Sequence, residues 1–568
     1  MGTRQTALVN PPFRVWVVGE FARTAQRSHA PLLTLTQANF AETLRALNLV
    51  LTVPDPTADS TTKRELTLPI GALADFSPTR LAPHVPYLAP LVRAREVIVA
   101  TQQNTLTIEQ CRESLKSLPG NAEFKGLLPA GLTDHPPSAK VAAEKPKDQL
   151  DSLFDLVDAA PPALSKADAL IADIIGSGSR RPNATERGLL DTALRNLDQR
   201  LAELGDTLLA QPAIRKVESA WRGLAELVKH LPRDGSVELR ALDSDDAHSL
   251  DTFTAMIENG DDQTQPSLVL FARALENSRP DMTWLDTLAR QAQTFQVPCI
   301  VSLDSSFFGE GEAAKFSRSE ALANRFDTPK FDLWNALRAK DRARWVVCAH
   351  NGYLQRPAFN TRAAHSQPLW GSPGWLVAAL AIRSHGSRKW PTQIYQPGGE
   401  QIEDLPLHPV ATFGGEDSMI PLEHQIGDTL CNDLSLQGIL PLQCVANRDR
   451  VFVTRAPSLL RPRHYGDASA NVQSQIMSSF PYQLLTARVA QLIQCNRTAL
   501  LGDRHPSEVS ERLENYLYGL VRESGRGAKA EVQLMANPDN PSRMMVTLSV
   551  QMGRDILNGA DIELTLEL

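Results

Sequence analysis

Cys348 and His350 stand two residues apart in RWVVCAH, a β-branched and aromatic run that reads as a strand, so both side chains point to one face. A thiol held beside an imidazole can become a thiolate nucleophile. Interior strands also carry Cys and His as packing residues, and packing is the reading this sequence favours. Glu403 and Asp404 could divide general acid and base roles, but neighbours in an extended segment point apart, which leaves a turn or a cap. Gly176 and Gly178 form a GxG in a Ser/Arg-rich loop with no strand ahead of it, so they cannot make a dinucleotide-binding turn. Residues 338–344, RAKDRAR, are the densest positive run; Asp341 interrupts it, and it reads as a solvated helix end rather than a groove for an acidic segment. No GxxxxGK[ST], HExxH, GxSxG or EF-hand loop occurs. The chain reads as a non-enzyme without cofactor or metal.

Such residues sit on elements that the hydrophobic pattern predicts. Residues 13–18, FRVWVV, read as a buried strand ended by Gly19, and residues 64–68, RELTL, alternate like a second. Residues 36–47 and 78–100 have helical spacing, with Asp75 and Ser77 ahead of Pro78 as a helix start. Residues 189–230 give two long helices broken near Pro212. Strands at 237–242, 267–271, 298–303 and 344–349 then alternate with helical segments such as 283–296, which predicts an α/β layer with a partly parallel sheet. Residues 530–535, 544–552 and 561–568 are three alternating strands, expected as an antiparallel ladder or as strands offered to a neighbour.

The chain of 568 residues exceeds one ordinary core and calls for about two to four domains. With 58 basic and 65 acidic residues the net charge is −7, which gives no global pull toward nucleic acid or an anionic membrane. No apolar run spans a bilayer and the start lacks a secretory core, so a cytoplasmic location is expected. Six scattered cysteines without a CxxC pair fit reduced thiols. Residues 132–149, rich in Pro, Lys and Ala, read as an exposed linker, with a second loose stretch at 176–187. The apolar segments 150–157 and 167–175 between them are either tethered docking helices or helices packed on the nearest domain.

PFRVWVVGEFAR at 12–23, LTLTQANFAETLRALN at 33–48, ELTLPIGALADFSPTRLAPHVPYLAPLVRARE at 65–96 and SLKSLPGNAEFKGLL at 114–128 resemble, in order, the small sheath subunit of type VI secretion systems, TssB/VipA-like. The second half is similar to the large, TssC/VipB-like subunit. The resemblance runs through VESAWRGLAELV at 217–228, FFGEGEAAKFS at 307–317, FDLWNALRAKD at 331–341, RWVVCAHNGYLQRPAF at 344–359, LWGSPGWLVAALAIRS at 369–384, GGEQIEDLPLH at 398–408 and SSFPYQLLTARVAQLI at 478–493. The sequence thus divides into a small-subunit-like domain at 1–131, a linker at 132–188 and a large-subunit-like domain at 189–568. Its fold class is α/β, two sheath-subunit-like modules with mixed sheets, long helices and strands free for sheet augmentation between protomers. The family keeps these subunits on separate chains; a tether raises effective concentration to about the millimolar range and fixes their ratio.

The resemblance implies a structural protomer that polymerises with itself around an inner tube and ejects it on contraction. Inner tube and baseplate components are the implied partners, with neither nucleic acid nor membrane insertion. Met544, Val546, Leu548, Val550, Ile562, Leu564 and Leu566 would lie on the strands exchanged between protomers. Trp221, Trp370, Gly371, Glu403, Asp404, Leu405 and Pro406 are structural motif positions. Trp221, Trp334, Trp370 and Trp375 are expected in the core, and Gly398 and Gly399 in a turn. ALIADIIGSGSRR at 169–181 resembles loosely the segment that a ClpV-type AAA+ unfoldase binds, with Leu170, Ile171, Ile174 and Ile175 as its apolar positions. The family's small subunit carries an extended arm where only about eleven residues precede Pro12 here. That difference brings in an alternative, a non-polymerising or capping adaptor joining the sheath to a baseplate or another component.

Overall fold

A computed structural model describes residues 8–21, 32–57, 64–118, 126–129, 132, 184–260, 264–309, 325–359, 366–411, 417–501, 505–522, 525–536, 544–553, 556–557 and 561–567. In the first region lie strands β1 (Phe13–Gly19), β2 (Leu32–Leu35), β3 (Leu49–Pro54) and β4 (Glu65–Ile70). Next come β5 (Val237–Asp243), β6 (Leu268–Leu275), β7 (Cys299–Leu303), β8 (Val346–His350), β9 (Tyr353–Arg356), β10 (Leu369–Gly371), β11 (His408–Ala411), β12 (Asp417–Ile420), β13 (Ile439–Pro441), β14 (Gln443–Cys444) and β15 (Val451–Phe452). The chain closes on β16 (Lys529–Ala536), β17 (Met544–Gln551) and β18 (Asp561–Glu567).

All of β1 is buried, so it must have neighbours on both edges and cover on both faces. It lies in a seven-stranded sheet of order β13-β8-β7-β6-β1-β5-β2, parallel to β5 and β6, with Val15 beside Leu239 and Leu268. Only β2 runs antiparallel, on the outer edge of β5. The predicted α/β layer is therefore present. The seam in the sequence is not a seam in the sheet: a strand from residues 13–19 sits between two strands from the second half.

Alternation along β1 divides the interior. Phe13, Val15 and Val17 join a core with Trp221, Trp375 and the β3–β4 hairpin, while Trp16 and Val18 join Phe253, Phe271 and Trp334 on the opposite face. The expected helix pair is found as Ala184–Leu209 and Pro212–Lys229. Helix Pro212–Lys229 crosses helix Gly374–Arg388 at Gly223, where a Cβ would lie 2.2 Å from the Trp375 ring. Residues 78–100 depart from the prediction. They form a short helix Pro78–Leu81, a 3₁₀ turn Ala82–His84 and a helix Ala89–Gln102, because Pro83, Pro86 and Pro90 interrupt the run. Ser77 makes no side-chain cap: its hydroxyl donates to the Ala74 carbonyl at 3.0 Å, and Asp75 accepts from the Gly71 and Ala72 amides.

Residues 530–535, 544–552 and 561–568 form an antiparallel sheet of order β16-β17-β18 over a third core. Helix Phe480–Cys495 is buried from Phe480 through Ile493, as a helix enclosed on all sides must be, and joins this unit to the rest.

Candidate functional site

Cys348 and His350 do share a face of β8, and both are buried. Desolvation pushes the Cys348 thiol up, away from thiolate formation, and lowers His350 to about 3, with His424 adding to the shift. The His350 ring stands edge-on to Phe308 at 4.9 Å. Among the described residues no group of His, Cys, Asp and Glu could hold a metal ion.

The positive run 338–344 divides: Ala339, Lys340 and Asp341 are exposed at the end of helix Asp332–Arg338, as expected of a solvated helix end, while Arg338 is turned inward. Arg338 is 1% exposed and donates to the Leu436 and Leu459 carbonyls and to Gln437 Oε1, closing the C-terminus of helix Asp428–Leu436. Arg342 grips Asp286 through both carboxylate oxygens at 2.8 and 2.9 Å, Lys340 joins it, and Arg344 pairs with Asp341. Burial of hydrogen-bonding heads turned inward, invisible to a count of charges, explains the difference.

Trp221, Trp334 and Trp375 are core residues, as expected; Trp370 is half-buried, edge-on to His408 at 4.8 Å. The Trp221 indole donates to the Phe21 carbonyl at 3.0 Å, tying the two regions together. Gly371 has no room for a side chain, since a Cβ would meet Gln355 and Tyr353 at 2.6 Å. Gly398 takes a positive φ of 85°, the turn expected there, and Asp404 a φ of 62°. Lys229 lies within reach of the Glu403 carbonyl and the Asp404 carboxylate at 3.3 and 3.7 Å, and Leu405 is buried beside Pro406 in a cleft of ≈ 240 Å³. Leu170, Ile171, Ile174, Ile175 and the GxG at Gly176 lie outside the described residues, as does most of the linker.

The terminal sheet has one apolar face and one polar face. Val546, Leu548, Val550, Ile562 and Leu564 point into the third core, while Glu531, Ser549 and Glu563 share one row of the outer face and Gln533, Thr547 and Thr565 the next. Strand β17 pairs with β16 and β18, so both of its edges are used within the chain among the described residues. Ser510 on helix Pro506–Val521 donates to the Val532 carbonyl of β16 at 2.6 Å, drawing that helix onto β16. Strand β18 pairs only with β17 among the described residues, its start held by the Tyr482 hydroxyl on the Asp561 carbonyl at 3.1 Å.

Beside this sheet the chain's first described residues run through a polar clamp that sequence reasoning missed. Arg488, 3% exposed, donates to Asn10 Oδ1 at 2.8 Å, Pro11 O at 2.7 Å, Pro12 O at 3.3 Å and Gln491 Oε1 at 2.6 Å. Asn496 takes the Val9 amide at 2.7 Å and gives back to the Val9 carbonyl at 2.8 Å, where Tyr516 also donates. Burial lowers Arg488 to about 10. The available signal was a lone arginine within the apolar run YQLLTARVAQLI. One further surface stands out: helix Ala468–Met477 buries none of its residues and exposes Val472 and Met477.

Comparison with known proteins bears on this geometry. The family described as "VipB: EvpB/VC_A0108, tail sheath N-terminal domain" matches residues 258–460, and "Type VI secretion system, VipA, VC_A0107 or Hcp2" matches residues 3–130. The type VI secretion system sheath protein TssC1 of Pseudomonas aeruginosa is 23% identical over 387 residues, covering 61% of this chain and 78% of that protein. Among solved structures, the anti-feeding prophage baseplate gives a TM-score of 0.37 at 13% identity, over 58% of this chain and 76% of that chain. The sheath complex of the extracellular contractile injection system PVC, in its contracted state, gives 0.36 at 13% identity, over 60% and 78%. The chain thus joins a VipA-type region and a VipB/TssC-type sheath domain in one polypeptide and is homologous to TssC1.

Proposed function

We propose that this chain is a structural sheath protomer that polymerises with itself around an inner tube and drives tube ejection on contraction. The observation that carries the reading is the terminal sheet: a rigid, one-sided, three-stranded ladder whose outer strand β18 has an unused edge among the described residues. An edge of that kind accepts a further strand through backbone hydrogen bonds, which hold without demanding particular side chains. The interleaving of β1 between β5 and β6 supports it too, because a strand of the VipA-type region then shares one sheet with strands of the VipB-type region. Helix Ala468–Met477, with no buried residue and with Val472 and Met477 exposed, supplies a second surface for contacts beyond the protomer. Baseplate components are the partners at the end of such a polymer, and a ClpV-type AAA+ unfoldase acting on residues 169–181 is a further proposed partner.

Removal of residues 561–568 tests the role of β18. The deletion takes Ile562 and Leu564 from the third core, at about 1.5–3 kcal/mol each, so circular dichroism must first show that the shortened chain stays folded. Sedimentation velocity then reads assembly. The full chain is expected as large particles and the shortened chain as a protomer; equal assembly of both would remove β18 from the mechanism.

A further inference from the structure

Helix Ala184–Leu209 and helix Pro212–Lys229 meet in a tight elbow at Ala210 and Gln211. On the inner side of the elbow the Asp206 carboxylate is only 7% exposed, and its Oδ2 has no hydrogen-bond partner among the described residues. Asp206 lines a cavity of ≈ 10 Å³ together with Leu209, Ala210, Arg215, Arg356 and Gln367. That volume is about what one water molecule occupies, and the wall is polar. Glu218 is already shared: Arg356 donates to its two oxygens at 2.8 and 3.3 Å, and Arg222 to one of them at 2.8 Å. Arg215 spends one donor on the Pro368 carbonyl at 2.9 Å, and a guanidinium has five. Half-buried Arg215 has its pKa lowered by desolvation and then by the like charge of Arg356, with Glu218 opposing the shift.

We propose that this cavity is a binding site for a single ordered water, which accepts a hydrogen bond from the Arg215 or Arg356 guanidinium and donates one to Asp206 Oδ2. The water relays the Asp206 charge to the two arginines. It adds the end of helix Ala184–Leu209 to the Arg356–Glu218 pair, which already ties the end of β9 to helix Pro212–Lys229. A buried water with two to four polar partners is costly to remove, so the site fixes the elbow rather than letting it flex. The elbow matters because the Ala184–Leu209 helix packs on helix Ala89–Gln102 of the VipA-type region, while the Pro212–Lys229 helix packs on Gly374–Arg388 of the VipB-type one.

The test has a structural arm and a solution arm. An experimental structure of the full-length chain at about 2 Å resolution is expected to show a water within about 3.2 Å of Asp206 Oδ2 and of a guanidinium nitrogen. Direct contact between Asp206 and either arginine, or a site without water density, overturns the proposal. In solution, Asp206→Asn keeps the side-chain size and removes the charge facing the arginines. It is expected to lower Tm by roughly 1–3 °C. An unchanged or raised Tm means that the carboxylate was an uncompensated buried charge and also overturns it.

Discussion

Substituting Arg488 by methionine keeps most of the apolar stem and removes the head that holds the chain's beginning. Among the described residues, Asn10 Oδ1 and Pro11 O accept from no other donor; Asn10 is exposed and can turn to water, while the buried Pro11 carbonyl, left without a donor, costs about 1–3 kcal/mol. The variant should therefore favour opening of residues 9–12 by about 1–3 kcal/mol. Because every 1.4 kcal/mol is tenfold in an equilibrium, amide exchange in that segment should rise by about fivefold or more. The assay is hydrogen exchange by mass spectrometry on peptides spanning residues 8–19. The Val9 amide, bonded to Asn496, reports the clamp, and the Phe13 amide, bonded to the Ser236 carbonyl at 2.9 Å, reports the start of β1. Arg488→Lys retains the charge but not the planar fork, and should fall between wild type and the methionine variant. Unchanged exchange across residues 8–13 in Arg488→Met would refute the view that this guanidinium anchors the segment.

Gly223→Ala drives a Cβ to 2.2 Å from the Trp375 ring and should destabilise by about 1–3 kcal/mol or more, read as a lowered thermal midpoint. Acid should weaken the fold through its buried histidines. Burial, then Arg488 and Lys389, lowers His385 to about 3, so the folded state keeps it neutral while the unfolded chain binds a proton below about 6.5. Its contribution is complete above pH 6.5 and is lost as pH falls toward 3, at up to about 1.4 kcal/mol per pH unit. His385→Phe, which can still stack on Phe13, should flatten urea midpoints between pH 6.5 and 4; an unaltered slope contradicts this. Cys299 and Cys348, both 0% exposed with thiols pushed up by burial, should resist alkylation in the native chain and react on unfolding; native labelling at either would show that β7 or β8 opens.

Much of the fold was legible because local pattern and burial agree. FRVWVVG is buried on both faces and became an interior strand of the large sheet; the alternation in 530–535, 544–552 and 561–568 marked three strands with one buried face. What spacing cannot give is partnership. That β1 would lie between strands more than 200 residues further on depends on three-dimensional closure, as does the pairing of Arg488 with Pro11, 477 residues away. Within the run 338–344, Arg338 departs from the expected solvated helix end because it turns inward to carbonyls that only the folded chain assembles, which a count of charges does not show. Pro83, Pro86 and Pro90 were visible and underweighted, and they broke a helix whose apolar spacing looked continuous.

Negative-stain electron microscopy of the purified full-length chain tests the central claim most directly. A self-assembling sheath protomer predicts hollow helical tubes or stacked rings. A monodisperse monomer or small oligomer, under conditions where related sheaths assemble, would contradict it and leave a capping or adaptor role in its place.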